Sequence, residues 1–526
     1  MKLNIARLGT SVLTRSHWVP AICMLGLWLT PVVQAQIEPA PRSIGSVSSL
    51  RSPNTQLPEL GDGSELTASA ERRMGDGIAR EMYHDPDYID DPVLFEYVDG
   101  VWQALLAAAR ASGGMSPELD QRFAWQILMG RDRTVNAFAL PGGYLGLNLG
   151  LVAVVASRDE LASVLGHELS HVTQRHISRL ISRQSAQTPW VIGAMILGAL
   201  AASKSPDAAN ALLVGGQAVA AQNQLNFSRD MEREADRVGF SVMTQAGFAP
   251  QGFVTMFDKL QQASRLNDNG AFPYLRSHPL TTERIADMQA RQSMGAAQGA
   301  PAEMTLEHAM VSARARILST PAVDALRQVV AEASSGTLGA QPAPRQVASL
   351  YAGVMAASKL RDFAEANAFL TRLTTLTRAN QRAARLTGLL TVELALLSGQ
   401  PASDLVPTAR PELFLSSQVL IGKGRANEAA SNLQTWVARH PKDATAWQLL
   451  ASAYSAQRLV LRYIRAEGEV QVARLDYAGA LDRFKAAQTL VHDSPGAAGI
   501  DHIEASIVDT RARQVQSLLR EQALER

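Results

Sequence analysis

The sequence predicts a mostly helical α+β domain followed by an all-α tetratricopeptide-repeat solenoid. Three observations favour this division. At 526 residues the chain is longer than one ordinary core accommodates, and 46% of its residues are hydrophobic. Its N-terminal half combines helical apolar periodicity with one short β-rich stretch at 134–152. Its C-terminal half is rich in Ala and Leu and repeats apolar residues at the offsets of stacked helix pairs.

The first 35 residues are typical of a secretory signal. Lys2, Arg7 and Arg15 form a basic start, Val19–Leu29 forms a short apolar core, and "VQA" ends it with small residues. We therefore expect a cleaved signal peptide at 1–35, with an uncleaved membrane anchor as the alternative. Cleavage is favoured because the apolar run is short for a bilayer span and is followed by polar, Pro-rich sequence.

The only cysteine of the chain, Cys23, lies inside this signal. "PAIC" lacks the Leu that is expected three residues before a lipidated cysteine. The mature chain would then contain no thiol, so no cysteine can act as nucleophile, metal ligand or disulfide partner. An exported chain without disulfides suits a bacterial periplasm. The formal charge of +1, or −2 once the signal is removed, gives no indication of nucleic-acid binding.

The first domain follows a Pro-, Ser- and Gly-rich stretch at 36–67, which we expect to be flexible. Helical periodicity then covers 71–109. The β-rich stretch at 134–152 surrounds Pro141-Gly142-Gly143, which predicts a hairpin or a strand with an open edge.

A further helix is predicted to begin just before 161–176, because Ser157 and Glu160 have the spacing of a capping box. The uniformly apolar stretch at 189–202 is short for a membrane crossing. We expect a buried or membrane-surface helix there.

The C-terminal half carries the spacing of tetratricopeptide units, with a weaker copy at 351–373. A generic helical bundle is the alternative. A stack of helix pairs would present a concave face to a peptide or partner protein. The matching positions are Ala429, Leu433 and Trp436 before Pro441; Trp447, Leu450, Ala451 and Tyr454 after it; and Gly468, Ala480, Phe484 and Ala487.

The motif "HELSH" at 167–171 places His167 and His171 four residues apart, on one face of a helix. Both imidazoles can bind one zinc ion. Glu168, about a third of a turn away, can take a proton from the attacking water without being a ligand. The motif alone does not complete a catalytic site, which needs a third ligand.

Two known ways of completing such a site are missing from this sequence. The metzincin spacing would require Gly at 174 and His at 177, but the chain has Gln174 and Ile177. His176 is one residue off that register and is expected to be a surface histidine or a support for a ligand. No Asp or Glu occurs between Glu168 and Asp207, which excludes a glutamate some twenty residues downstream.

The next acidic group after that gap is "SRDMEREAD" at 228–236. Glu232 and Asp236 are one helical turn apart, and Gly239 next to them permits close helix approach. One carboxylate can bind zinc while the other holds the outer N–H of a histidine. Spacing alone does not exclude Glu234 as a ligand, and a solvated charged helix is the alternative for the whole segment.

"HELSH" followed by "SRDMEREAD" resembles the M48 family of zinc metallopeptidases, which implies a zincin-like fold. Matched residue by residue, the resemblance implies one Zn²⁺ held by His167, His171 and Glu232. It makes Glu168 the general base and Asp236 a helper beside the site. "NAFALPGGYLGLNLGLV" is similar to the edge-strand segment of the family, which would bind substrate as an added β-strand.

The signal, the catalytic domain and the repeats together resemble a periplasmic branch of this family. Together with the composition of the chain, this predicts a signal peptide at 1–35, a flexible segment at 36–67, a metallopeptidase domain at 68–290, a linker at 291–305 and a repeat domain at 306–526. The resemblance also implies an endopeptidase of misfolded or stalled outer-membrane β-barrel proteins that assists their assembly. The repeats would contact the barrel-assembly machinery.

Two further residues follow from the resemblance. His278 lies in a His-Pro loop, which in this branch can occupy the open position of zinc and make the enzyme latent. The alternative is a turn that caps a helix starting near Thr281 or Thr282. Arg284 is a candidate for transition-state support, with an ion pair to Glu283 or Asp287 as the alternative.

Two rival functions stay open. One is a chaperone or assembly scaffold that acts through its repeats while the zinc site is shut. The other is a membrane-embedded quality-control protease, against which the short stretch at 189–202 argues. Peripheral membrane contact is compatible with the sequence, and no nucleic-acid partner is expected.

Overall fold

The computed structural model describes residues 66–183, 228–265, 271–295, 304–493 and 501–523. The predicted signal at 1–35, nearly all of the segment at 36–67, and the apolar stretch at 189–202 lie outside these residues. Across the part of the chain that is described, none of the helices combines the length and apolar character needed to cross a bilayer.

The N-terminal part is mostly helical around one small sheet, as the sequence predicts. Ser157 caps α5 by accepting the N–H of Glu160, at 3.1 Å. The helices are α1 Ala68–His84, α2 Pro92–Ala111, α3 Pro117–Arg122, α4 Leu149–Val154, α5 Arg158–Thr173, α6 His176–Arg183, α7 Arg229–Gln245, α8 Gln251–Arg265, α9 Tyr274–Ser277 and α10 Thr282–Gly295.

In the described part of the chain the sheet has three strands, β1 (Gln126–Gly130), β2 (Ala137–Leu140) and β3 (Tyr144–Asn148), in the order β1-β3-β2. β2 and β3 form the predicted hairpin around Pro141–Gly143, whose two glycines adopt positive φ angles of 71° and 83°. β1, which the sequence analysis did not predict, pairs parallel to β3. Over the described residues β2 is therefore an edge strand, and it lies against α5.

Two glycines bring α5 and α7 unusually close together. A Cβ on Gly239 would lie 2.9 Å from the backbone carbon and oxygen of Gly166 and from the nitrogen of His167. The predicted close approach at Gly239 is therefore present, and its partner is Gly166. This contact sets the acidic face of α7 directly beside the histidines of α5.

We expect Gly239→Ala to lower the free energy of unfolding by about 1–3 kcal/mol, because backbone atoms cannot rotate away from an added methyl group. Urea denaturation followed by circular dichroism measures this loss. The matched control is Gly388→Ala on another helix, where an added Cβ meets no atom within 4 Å. There we expect no loss, since Ala is the better helix former. Equal losses in both variants would contradict the close-packing argument.

Over its described residues the C-terminal part is helical apart from short connections, the irregular stretch at 401–409 and one short 3-10 segment. Trp447, Leu450 and Tyr454 are buried along one helix, and Phe484 packs on Gly468, as the repeat spacing predicts. The helices are α11 Leu306–Leu318, α12 Val323–Ser334, α13 Ala343–Lys359, α14 Phe363–Thr377, α15 Gln381–Ser398, α16 Arg410–Gly422, α17 Ala426–Arg439, α18 Ala444–Ala456, α19 Val460–Ala473, α20 Tyr477–His492 and α21 His502–Ala523.

One apolar cluster runs from the N-terminal helices through α11–α15, so the first repeat helices share a core with the sheet-containing part. Tyr97 of α2 also contacts His308 of α11, with 2.7 Å between the hydroxyl and Nδ1. The division at 291–305 stays a prediction. In the structure α10 continues to Gly295 and α11 begins at Leu306.

Three arginines join α2 and the residues just before it to the repeats, and we call them the bridging arginines. Each guanidinium contacts one carboxylate on the N-terminal side and one on the repeat side, at 2.5–3.0 Å. The three sets are Asp91–Arg314–Glu393, Glu96–Arg385–Glu412 and Asp90–Arg410–Asp443. This joint fixes the repeats to the first part by charge as well as by the shared core.

Candidate metal centre

Helix α5 presents His167 and His171 to a single buried point. The Nε2 atoms of the two imidazoles lie 3.0 Å apart, and both side chains are almost completely buried. The four-residue spacing on a helix produces this convergence. Two histidine nitrogens directed at one point are the start of a metal site.

Helix α7 supplies the carboxylate of Glu232. One of its oxygens lies 3.5 Å from Nε2 of His167, and the other lies 3.5 Å from Nε2 of His171. Asp236, one turn further along, does not reach this point. It lies 3.0 Å from the other ring nitrogen of His167, Nδ1. The two acids therefore divide into one that faces the histidine nitrogens and one that holds the back of a histidine.

His278 enters the same point from the loop between α9 and α10. Its Nδ1 lies 3.0 Å from Oε1 of Glu232 and 3.3 Å from Nε2 of His167. The ring of Tyr274, which the sequence analysis missed, stacks on His278 with centroids 4.6 Å apart. The helix predicted after this loop begins at Thr282, so His278 faces the site while the loop also leads into α10.

His167, His171, Glu232 and His278 form a group able to hold a metal ion, with one ligand atom from each lying within 4.8 Å of the others. Imidazole nitrogens and a carboxylate oxygen are ligands that zinc accepts in tetrahedral sites. All four side chains are buried, so little water competes for the donor atoms. The residues present therefore fit a zinc-type ion.

Arg284 has partners other than those predicted for it. Its guanidinium contacts both oxygens of Asp236, at 2.6 and 2.7 Å, and Oε2 of Glu232, at 2.8 Å. It also donates to the carbonyl of Pro279, at 2.8 Å. The ion pair with Glu283 or Asp287 is therefore wrong: α10 turns Arg284 inward against α7, while those two acids lie on its more exposed side.

His176 and Glu234 lie behind the site. Nδ1 of His176 is 2.9 Å from Nδ1 of His171, and its Nε2 is 3.1 Å from Oε2 of Glu234. His176 is fully buried. It is therefore not a surface histidine, and it lies in the other predicted position, behind the candidate ligand His171. Glu234 contacts His176 and Arg179 rather than the four grouped residues, so it is not positioned as the third ligand.

Glu168 is completely buried between the site and the edge strand. Its Oε2 accepts the N–H of Ala139 on β2, at 2.9 Å. Its Oε1 has no hydrogen-bond partner among the described residues and lies 3.5 Å from Nε2 of His278. Burial raises the pKa of Glu168, which brings this carboxylate closer to the range useful for proton transfer.

Neighbouring charges and burial shift the pKa values of the residues in the site. Burial alone would lower the pKa of His167, but Asp236 and Glu232 outweigh it and raise the pKa to about 9. Burial alone would raise the pKa of Glu232, yet His278 and His167 hold it well below its usual range. Burial, followed by the charge of His167, lowers the pKa of His171. A histidine nitrogen binds a metal only without its proton, so metal binding at this centre is linked to pH.

Comparison with known proteins agrees with this geometry. Residues 101–292 match peptidase family M48. A Vibrio cholerae protein described as a beta-barrel assembly-enhancing protease is 30% identical over 83% of this chain and 88% of its own length. The beta-barrel assembly-enhancing protease of Escherichia coli K12 is 29% identical over 81% and 86%. A mitochondrial metalloendopeptidase of Schizosaccharomyces pombe is 30% identical over 43% and 62%.

Proposed function

Because this chain belongs to peptidase family M48 and to its group of beta-barrel assembly-enhancing proteases, we propose that it is a periplasmic zinc endopeptidase. In this proposal it degrades misfolded or stalled outer-membrane β-barrel proteins and assists their assembly. The observation that carries the proposal is the buried convergence of His167, His171 and Glu232, with Glu168 beside them.

His167, His171 and Glu232 would hold the ion, and Asp236 would keep the His167 ring in place from behind. The ion, when bound, supplies Lewis acidity toward a peptide carbonyl and the attacking water. Glu168 takes the proton of that water and passes it to the leaving nitrogen. Its Oε1 is the oxygen available for this transfer, because it has no hydrogen-bond partner among the described residues while Oε2 already accepts the N–H of Ala139.

The edge strand β2 would hold the substrate as an added strand. The N–H of Ala139 is directed toward Glu168 rather than toward β3, so this side of β2 faces the candidate active site. An unfinished β-barrel exposes unpaired strand edges, and such an edge can pair with β2 before cleavage. This match between the edge strand and an open barrel supports the choice of substrate.

His278 would act as a fourth ligand that keeps the enzyme latent. Its ring lies within hydrogen-bond distance of Glu232 and His167, and Tyr274 stacks on it. A site with four protein ligands has no open position for water, as in structural zinc sites. Release of the loop that carries His278 would open the site.

The export signal predicted at 1–35 supports a periplasmic location. The repeats would contact the barrel-assembly machinery, since stacked helix pairs provide an extended binding surface. One observation favours a second function: the four residues that could hold the ion are all buried. A scaffold that assists assembly through its repeats, with the site normally shut, would have this arrangement.

The direct test compares the unsubstituted mature chain with His278→Ala. We expect His278→Ala to cleave an unfolded outer-membrane barrel protein several-fold faster, because its removal frees a ligand position. Initial rates are followed by gel densitometry, with zinc content measured for each preparation. His492→Ala is the control, since that side chain is 90% exposed and should leave the rate unchanged. If neither variant nor the unsubstituted chain cleaves despite bound zinc, the scaffold function is favoured.

A further inference from the structure

The turn between α5 and α6 is strained and firmly held. Arg175 has φ of 52°, a left-handed conformation that is costly for a residue other than glycine. Its side chain pairs with Glu71 of α1, at 3.2 Å, and also contacts the carbonyl of Leu66 and the hydroxyl of Ser178. Glu71 is itself buried. The surrounding structure therefore compensates for an unfavourable backbone at this one position.

The effect of this turn is to fold the chain back so that His176, the first residue of α6, lies behind His171. A continued helix would carry His176 around and away from His171, because five residues rotate by more than a full turn. With the turn, the two Nδ1 atoms lie 2.9 Å apart and His176 is fully enclosed. The strained turn at Arg175 thus places a histidine, His176, that is not among the four grouped residues.

One arrangement of protons satisfies both the His171–His176 and the His176–Glu234 hydrogen bonds. If Nε2 of His171 faces the metal, its Nδ1 carries the proton and donates to Nδ1 of His176. His176 must then carry its proton on Nε2, where it donates to Oε2 of Glu234, at 3.1 Å. Arg179 pairs with the same oxygen at 2.9 Å and keeps the carboxylate in place.

We propose that His176 and Glu234 are positioning residues for the metal ligand His171. They fix its tautomer and the orientation of its ring through the relay His171–His176–Glu234. The inference rests on the proposed metal site and adds to it residues that lie behind His171, on the side facing away from the metal position. The two ligand histidines of α5 are then held differently: His167 directly by the carboxylate of Asp236, His171 through a second imidazole.

The test is the zinc affinity of substituted chains, measured by competition with a chromogenic chelator. His176→Leu keeps the approximate volume but removes the acceptor, and we expect a loss of about 10–100-fold in affinity. His176→Asn places an oxygen near the former Nδ1, and we expect it to recover most of that affinity. Glu234→Gln should weaken binding less than His176→Leu does, because the Gln side-chain oxygen can still accept.

Asp230→Asn is the matched control on the same helix, since its carboxylate is 85% exposed and pairs with Arg233. We expect its zinc affinity to be unchanged. Thermal unfolding of the metal-free proteins shows whether a substitution weakens the fold or only the metal site. If His171 merely loses its orientation, the zinc affinity falls without an equal loss of stability in the metal-free protein. Unchanged affinity in His176→Leu, or equal weakening in His176→Leu and His176→Asn, would overturn the proposal.

A second readout distinguishes failure of this inference from failure of the metal site itself. Nitrogen-15 NMR of histidine-labelled, metal-free protein reports the tautomer of each ring. We expect His171 to carry its proton on Nδ1, and to lose that preference in His176→Leu. If the unsubstituted chain binds no zinc, the proposed function fails. The NMR measurement of the His171 tautomer then tests the relay by itself. A proton on Nε2 of His171 in the unsubstituted chain contradicts the relay whether or not zinc binds.

Discussion

Glu168→Gln is expected to reduce peptide cleavage by about 10²–10⁴-fold while zinc stays bound. Gln has nearly the shape of Glu, and its side-chain oxygen can still accept the N–H of Ala139. The loss therefore reports the missing proton acceptor rather than a displaced edge strand. The measurement is the initial cleavage rate of an unfolded outer-membrane barrel protein in the His278→Ala background, where the site is expected to be open.

The control for this prediction is Glu283→Gln, since Glu283 lies on α10 with a side chain that is 70% exposed. Its rate should equal that of the parent chain. Zinc content per chain is determined for both variants, because loss of metal would imitate loss of the base. Retention of more than a tenth of the parent rate by Glu168→Gln would remove Glu168 from its proposed role. If the same variant still assists barrel assembly, the scaffold and protease functions are separable.

Arg314→Met is expected to lower the free energy of unfolding by about 3–5 kcal/mol, the usual cost of removing one partner from a buried ion pair. Arg314 is 5% exposed and makes two hydrogen bonds to each of Asp91 and Glu393. Met fills a similar volume, so the loss reflects two carboxylates left without a counter-charge. Urea denaturation followed by tryptophan fluorescence gives the value.

Two comparisons test whether the loss of stability in Arg314→Met depends on the burial of its ion pairs. Arg327→Met removes an exposed pair with Asp324, and we expect a change of less than about 1 kcal/mol. Combining Arg314→Met with Asp91→Asn and Glu393→Gln should recover much of the loss, since the uncompensated charges are then gone. Asn also preserves the cap of α2, because it can accept the N–H of Leu94 as Asp91 does. A loss below about 1 kcal/mol in Arg314→Met alone would contradict the argument.

Local patterns in the sequence predicted much of this fold and site. Helical spacing put His167 and His171 on one face, Ser157 marked the start of their helix, and Gly239 indicated a close helix contact. These features depend on residues a few positions apart, so periodicity and capping rules apply to them directly. The resemblance to M48 peptidases then pointed to Glu232 and His278, which lie far from α5 in the chain.

The features that sequence analysis missed depend on long-range packing. The partners of Arg284 follow from how α10 rotates against α7, whereas local spacing offered only Glu283 or Asp287 as ion-pair partners. The strand β1 is five residues long and pairs parallel to β3, which no turn signal indicates. The position of His176 depends on a left-handed turn at Arg175, a residue type that rarely adopts that conformation. Tyr274 lies four residues before His278, but only its stacking makes it part of the site.

The bridging arginines restrict how the two halves of this chain can change over generations. A substitution at any one of the three leaves carboxylates on both sides of the joint without their counter-charge, so a tolerated change needs a matching one in the other half. The peptidase part and the repeats are therefore expected to be inherited together as a matched pair. A hybrid that joins these repeats to an unrelated peptidase would need new partners for Arg314, Arg385 and Arg410 before it could fold as one body.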